Sequence, residues 1–206
     1  MFGTHDLGIF ILSCITLNLI PGNDTIYIIT KSLSDGKKAG IISALGISTG
    51  VVFHILFAAI GLSALILSFS YAFEIIKILG ALYLIYLGIS SLLKAKKSLH
   101  VKMVSEENSL LKTYKQAVLT NVLNPKVALF FLAFLPQFVS PDAPHKTLSF
   151  LFLGLIFLTT GTLWCLILAA FASATAKKIQ SNGNLLTNIA GFIYIALGLK
   201  LLFEKN

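Results

Sequence analysis

Six apolar stretches, at about 7–29, 41–68, 71–93, 117–139, 148–173 and 185–203, dominate the 206-residue chain, and none carries more than two charged side chains. A helix needs about 20 mostly apolar residues to cross a hydrocarbon core about 30 Å thick. Each stretch reaches or approaches that length, and lipid does not tolerate unpaired backbone groups, so each is predicted to be a helix. Composition agrees: 56% of residues are hydrophobic and 12% are charged, against about 25% charged in soluble domains. This balance excludes disorder, a disulfide scaffold and, in practice, a soluble enzyme. The expected fold is an all-α integral membrane protein with six transmembrane helices, forming a single domain over residues 1–206. The first stretch is expected to stay as a permanent span, because residues 1–6 contain no Lys or Arg and the run exceeds a signal-peptide core.

The net charge of +8 comes from 16 Lys against 8 acidic residues, and its distribution points to a membrane orientation and away from nucleic acid. Lys31, Lys37 and Lys38, then Lys94, Lys96, Lys97, Lys102, Lys112 and Lys115, then Lys177 and Lys178 fall in alternate loops. Only Lys146 and Lys205 fall on the other side. Positive loops stay in the cytoplasm, so the N- and C-termini are expected outside and the long 94–116 connector inside. Glu106 and Glu107 interrupt the basic run of that connector, which reads as solvated. Cys14 and Cys165 are solitary and sit in apolar runs, giving no redox pair or metal cluster.

An internal repeat organises the spans. Thr49-Gly50 and Ala58-Ala59 of the second span recur 111 positions later as Thr160-Gly161 and Ala169-Ala170 of the fifth. The same offset carries Gly80 and Tyr83 onto Gly191 and Tyr194, and after one gap Leu87-Gly88 matches Leu197-Gly198. Three spans per unit is an odd number, so the units, about 7–93 and 117–203, are expected to be inverted relative to each other, as in secondary transporters.

Spans 1 and 4 then correspond, and proline interrupts both. Span 1 reads Asn18-Leu-Ile-Pro21-Gly22-Asn23-Asp24, and span 4 reads Asn121-Val-Leu-Asn124-Pro125-Lys126. Proline removes a backbone donor and disfavours helix in the residue before it, so each span is predicted to split into half-helices. Asn124-Pro125 is also a helix-start signature, with Asn as cap and Pro at the first helical position. Matched interruptions in two halves point to a transporter's binding site, where helix ends can hold a carboxylate. Asp24 and Lys126 place one anion and one cation beside these breaks, which suits a zwitterionic solute; a plain ion pair tying the spans together is the competing reading. The candidate substrate-binding residues are therefore Asn18, Pro21, Gly22, Asn23, Asp24, Asn121, Asn124, Pro125 and Lys126.

Asp24 and His54 are the candidates for carrying a coupling proton, although a buried histidine held by a hydrogen bond is the simpler reading of His54. Lys77 and Lys200 are expected to snorkel to the interface, and Tyr83, Tyr86 and Tyr194 to pack. Gly46-x-x-x-Gly50 permits close helix approach, within the monomer or in a homodimer. No phosphate-binding loop, nucleophile elbow or metal-ligand spacing occurs, so neither an enzyme nor a cofactor is expected.

The segments PGNDTIYIITKSLSDGKKAGIISALGISTG, residues 21–50, and NPKVALFFLAFLPQFV, residues 124–139, resemble the two signature regions of the lysine exporter (LysE) superfamily, in its threonine/homoserine exporter (RhtB) branch. The similarity extends through LGALYLIYLGISSL, residues 79–92, and covers nearly the whole chain. It implies a bacterial inner-membrane protein that exports amino acids or related metabolites, in antiport with protons. The family's Pro-Gly-Pro followed by Asn or Asp falls on Pro21, Gly22, Asn23 and Asp24, with Asn23 replacing the second proline; its Asn-Pro-Lys falls intact on Asn124, Pro125 and Lys126. The cation-exporting members carry an Asp where Ser48, Thr49 and Gly50 stand here. That difference, with Phe130 and Phe131 in span 4, implies neutral amino acids of the threonine, homoserine or leucine type. A metal-cation exporter or a non-transporting membrane assembly protein is the alternative.

Overall fold

The computed structural model describes residues 2–62, 72–94, 109–140 and 142–172, together with positions 188, 191, 192, 195, 196, 198, 199, 202 and 203 of the last apolar stretch, all of them helical. The remainder of the sixth predicted span, the Lys177-Lys178 loop and most of the 94–116 connector lie outside the described residues, as do the side chains of Lys77, Tyr83, Tyr194 and Lys200.

Among the described residues the regular structure is helical, in seven α-helices. Proline punctuates the first pair: α1 (Leu7–Leu19) ends as Ile20 turns extended, and α2 (Asn23–Ser34) restarts after Gly22, bent by 48°. Asp35-Gly36 then reverses the chain, with Gly36 at φ +87°, a conformation that costs glycine least. The α3 helix (Lys37–Phe57) continues through a π-turn at Ala58–Leu62, and α4 covers Ala72–Lys94. The α5 helix (Leu110–Val122) starts where Ser109 Oγ accepts the Lys112 N–H at 3.2 Å. After a two-residue break, α6 (Pro125–Leu129) runs on as a π-turn (Phe130–Phe134) and a 3-10 turn (Leu135–Phe138), bent by 43° from α5. The last helix is α7 (Lys146–Ala170).

Two of these helices, Lys37–Gly61 with its π-turn and Lys146–Ala170, are long and apolar enough to cross a bilayer alone, and the two bent pairs pass the same test as broken spans. Both proline breaks thus fall where the sequence places them. The helices nonetheless outrun the apolar stretches: α2 continues past residue 29 and α5 begins seven positions before residue 117. Each extension is amphipathic, burying Lys31 and Ser32 on α2 and Thr113 on α5, so hydropathy alone truncates them.

Core packing centres on α3, which lies along α5 and α7. Its Gly46 and Gly50 face α5: a Cβ on Gly46 would stand 2.6 Å from Ala117 Cβ, and one on Gly50 would stand 2.6 Å from Asn121 Cβ. The small-residue stripe is therefore used inside the monomer. The ends of the two broken spans meet in a consistent way. Near the N-terminus, His5 N–H donates to Phe138 O at 3.1 Å and Ser140 N–H to Gly3 O at 2.8 Å, joining the start of α1 to the end of the α6 segment. At the other end Tyr27 Oη on α2 donates to Thr113 O on α5 at 2.9 Å. The two broken spans consequently run antiparallel. Large apolar side chains such as Leu12, Phe57, Ile60, Leu93 and Leu163 are exposed, as a lipid-facing surface requires.

Candidate functional site

Each proline leaves one carbonyl without its helical donor, the one four residues earlier. For Pro21 that carbonyl belongs to Leu17, and Lys126 Nζ from the opposite broken span donates to it at 2.7 Å and to Ile20 O at 2.9 Å. For Pro125 the carbonyl belongs to Asn121, and His54 Nε2 from α3 lies 3.0 Å away. Asn121 O also accepts the Asn124 N–H at 2.8 Å. With that carbonyl acting as acceptor, His54 carries its proton on Nε2. Lys126 therefore supplies positive charge to the C-terminal end of α1, the favourable sign for the helix dipole. Asn124 caps α6, its Oδ1 accepting the Lys126 N–H at 3.0 Å, and Pro125 occupies the first turn.

Around these breaks lies a cavity of about 40 Å³, lined by Asn18, Gly22, Asp24, Asn121, Asn124 and Lys126 among the predicted residues. Space of that size holds a few waters and must widen to admit an amino acid. Pro21, Asn23 and Pro125 do not line it: the prolines act through the backbone, and Asn23 is exposed at the first position of α2. His54 also lies outside the lining, buried with its ring stacked on Phe131 at 5.9 Å between centroids. Phe130 and Phe131 belong to the aromatic core and do not reach the cavity, which Phe157 of α7 lines in their place.

The sequence reading passed over part of the wall. Ser48 and Thr162 line it, 2.8 Å apart between hydroxyl oxygens, as do Trp164, Cys165 and Gly161. Hydroxyls and a single tryptophan inside apolar runs give no spacing signal; only the position of Gly161 in the repeat and the family resemblance at Ser48 pointed there.

Asp24 is the most informative of these groups. Its Oδ2 accepts the Asn121 amide N–H at 2.8 Å, while its Oδ1 is buried with no hydrogen-bond partner. Among the described residues no salt bridge joins Asp24 to Lys126; the cation spends two of its three donors on the α1 carbonyls. A buried acceptor left unmade is costly and calls for an explanation, such as a ligand or an ion. Asn18 Nδ2 reaches Thr160 Oγ1 at 3.5 Å, at the limit of a hydrogen bond. Among the described residues no three His, Cys, Asp or Glu side chains converge in a way that would hold a metal ion.

Comparison with known proteins adds a family. The family model described as "LysE type translocator" matches residues 15–205. Over 199 residues the chain is 31% identical to an "Uncharacterized membrane protein" of Vibrio cholerae serotype O1, covering 95% of this chain and 96% of that protein. Over 207 residues it is 33% identical to the "Uncharacterized membrane protein YrhP" of Bacillus subtilis, covering 95% and 98% respectively. No solved structure gives a significant match.

Proposed function

The chain belongs to the LysE type translocator family, and from that premise we propose that it is a six-span, proton-coupled secondary exporter of neutral amino acids in the bacterial inner membrane. The observation that carries this reading is the partnerless, buried Asp24 Oδ1 in a cavity at the crossing of two proline-broken spans, with Lys126 in the same wall. In the bound state the substrate ammonium sits on Asp24 Oδ1, and the third Lys126 N–H is offered to the carboxylate. The apolar wall of Leu17, Ile47, Val51, Val127 and Phe157 accepts an uncharged side chain. Asp24 is assigned the coupling proton, since it faces the cavity and His54 is held behind it.

Packing supports an inverted repeat. Gly50 of α3 faces Asn121 in the second broken span, and Gly161 of α7, its counterpart 111 positions on, faces Asn18 in the first, with a Cβ on it 3.5 Å from Asn18 Oδ1. A Cβ on Gly88 would meet Ile195 Cγ1 at 2.5 Å and Gly191 O at 2.6 Å, while one on Gly198 would meet Ile85 Cγ1 at 2.7 Å and Ala81 O at 2.8 Å. Shifted by 110 positions, each set of contacts becomes the other, which a two-fold relation between halves produces. With antiparallel broken spans and the Lys bias, this favours termini outside, cytoplasmic entry and release outward as the halves rock.

Counterflow in proteoliposomes preloaded in turn with threonine, homoserine, leucine, lysine and cadmium tests the proposal. Saturable exchange of the neutral amino acids that responds to a pH gradient is the expected result. Movement of cadmium alone, or of nothing, would overturn it.

A further inference from the structure

Besides Asp24 Oδ1, two cavity-lining residues carry a buried polar atom without a partner: Asn121 Oδ1, which lies against Gly50, and Trp164 Nε1. Trp164 stands on α7. Indole N–H is a donor only, so it needs an acceptor where Asp24 Oδ1 needs a donor. Of the other donors around the cavity, Asn121 Nδ2 is bonded to Asp24 Oδ2, the Ser48 hydroxyl to Ala44 O, and Lys126 to two carbonyls, which leaves one Lys126 N–H in the same cavity. Asp24 and Trp164 come from different halves of the chain and no hydrogen bond joins them, so their two unmet needs have opposite sign and one ligand can answer both. A zwitterion does so, with its ammonium at Asp24 and its anionic end at Trp164.

We propose that Trp164 is a substrate-recognising residue whose indole N–H donates to a carboxylate oxygen of the transported amino acid, opposite the ammonium held by Asp24. The inference rests on the amino-acid exporter reading above and adds the donor that fixes the substrate's direction across the two halves. The carboxylate is the assigned acceptor because it would share the cavity with the Lys126 charge, and a hydrogen bond to an ionised acceptor is about twice as strong as one to a neutral acceptor. Binding would then tie α7 of the second half to α2 of the first.

Trp164 is the only tryptophan of the chain, so the wild-type protein reports on it directly. Leucine is expected to shift its fluorescence emission saturably, at the concentrations that drive counterflow, while isopentylamine, the same molecule without its carboxylate, produces no such shift. Trp164→Phe, which keeps a ring and loses the N–H, should raise the half-saturation for leucine by about tenfold or more. Inhibition by isopentylamine should be unchanged, and Trp164→His, which restores a ring N–H, should recover part of the loss. Wild-type leucine transport with silent emission, or equal weakening of leucine and isopentylamine in Trp164→Phe, would overturn the assignment while leaving the exporter reading intact. Absence of any amino-acid counterflow in the wild type would overturn both. Should Trp164→Phe fail to fold, the wild-type emission experiment decides alone.

Discussion

Pro21 and Pro125 each free a carbonyl, and the chain answers with a side chain from another span: Lys126 for Leu17, His54 for Asn121. The His54 job is structural and held outside the cavity lining, so it can be separated from transport. His54→Phe keeps the stacking on Phe131 and removes the donor, so it should lower stability by about 1–3 kcal/mol; His54→Gln, which keeps an N–H, should recover part of this in a thermal melt in detergent. A His54→Phe protein as stable as wild type would show that the Asn121 carbonyl needs no second donor. A contact at the end of α2 gives a pH signature. Lys31 Nζ donates to Asp35 Oδ2 at 2.8 Å, and that hydrogen bond holds the Asp35 carboxyl below the usual carboxylate range. A depressed carboxylate stabilises the fold above its unfolded value of about 3.9, and the contribution disappears as pH falls through the folded value. Asp35→Asn should therefore cost a few tenths of a kcal/mol at pH 7, and that deficit should shrink as pH falls below about 3.9; a deficit independent of pH would refute the linkage.

At the scale of elements, glycine sets how closely α3 meets α5. A side chain on Gly50 would collide with Asn121, so Gly50→Ala should cost about 1–3 kcal/mol and displace the amide that holds Asp24. Gly8→Ala is the control: a Cβ there meets nothing within 4 Å, and the substitution should be neutral or stabilising by up to about 1 kcal/mol. Equal losses in the two variants would contradict the packing account. This contrast also explains what could be read in advance. Proline breaks, the Asn124 cap and the small-residue stripe are local signals, and the helices form where those signals lie. The π-turns at Ala58–Leu62 and Phe130–Phe134 carry no sequence mark. The ends of α2 and α5 were missed because Lys31, Lys112 and Lys115 lower the hydropathy of helical residues. His54 was legible as a residue, and its partner 67 positions away was not.

Across the whole molecule, the cavity gathers Asp24 from the first half, Lys126 and Trp164 from the second, and Asn18 and Asn121 from the matched breaks. From Phe157 in its wall an aromatic cluster leads toward the N-terminal face, with Phe157 on Phe130 at 4.9 Å, Phe130 on Phe134 at 5.1 Å, and Phe138 on both Phe134 and Phe10 at 5.0 Å. In the proposed orientation this is the outward side, so release requires those rings to part and the cavity to widen. The central claim is that Asp24 receives the substrate ammonium, and the most direct measurement is proteoliposome counterflow of leucine against its α-hydroxy-acid analogue, in wild type and Asp24→Asn. The account predicts that wild type exchanges leucine and ignores the hydroxy acid, and that Asp24→Asn, reconstituted at equal density, loses leucine exchange and its response to a proton gradient. Leucine exchange by Asp24→Asn with wild-type half-saturation and full proton coupling would contradict it.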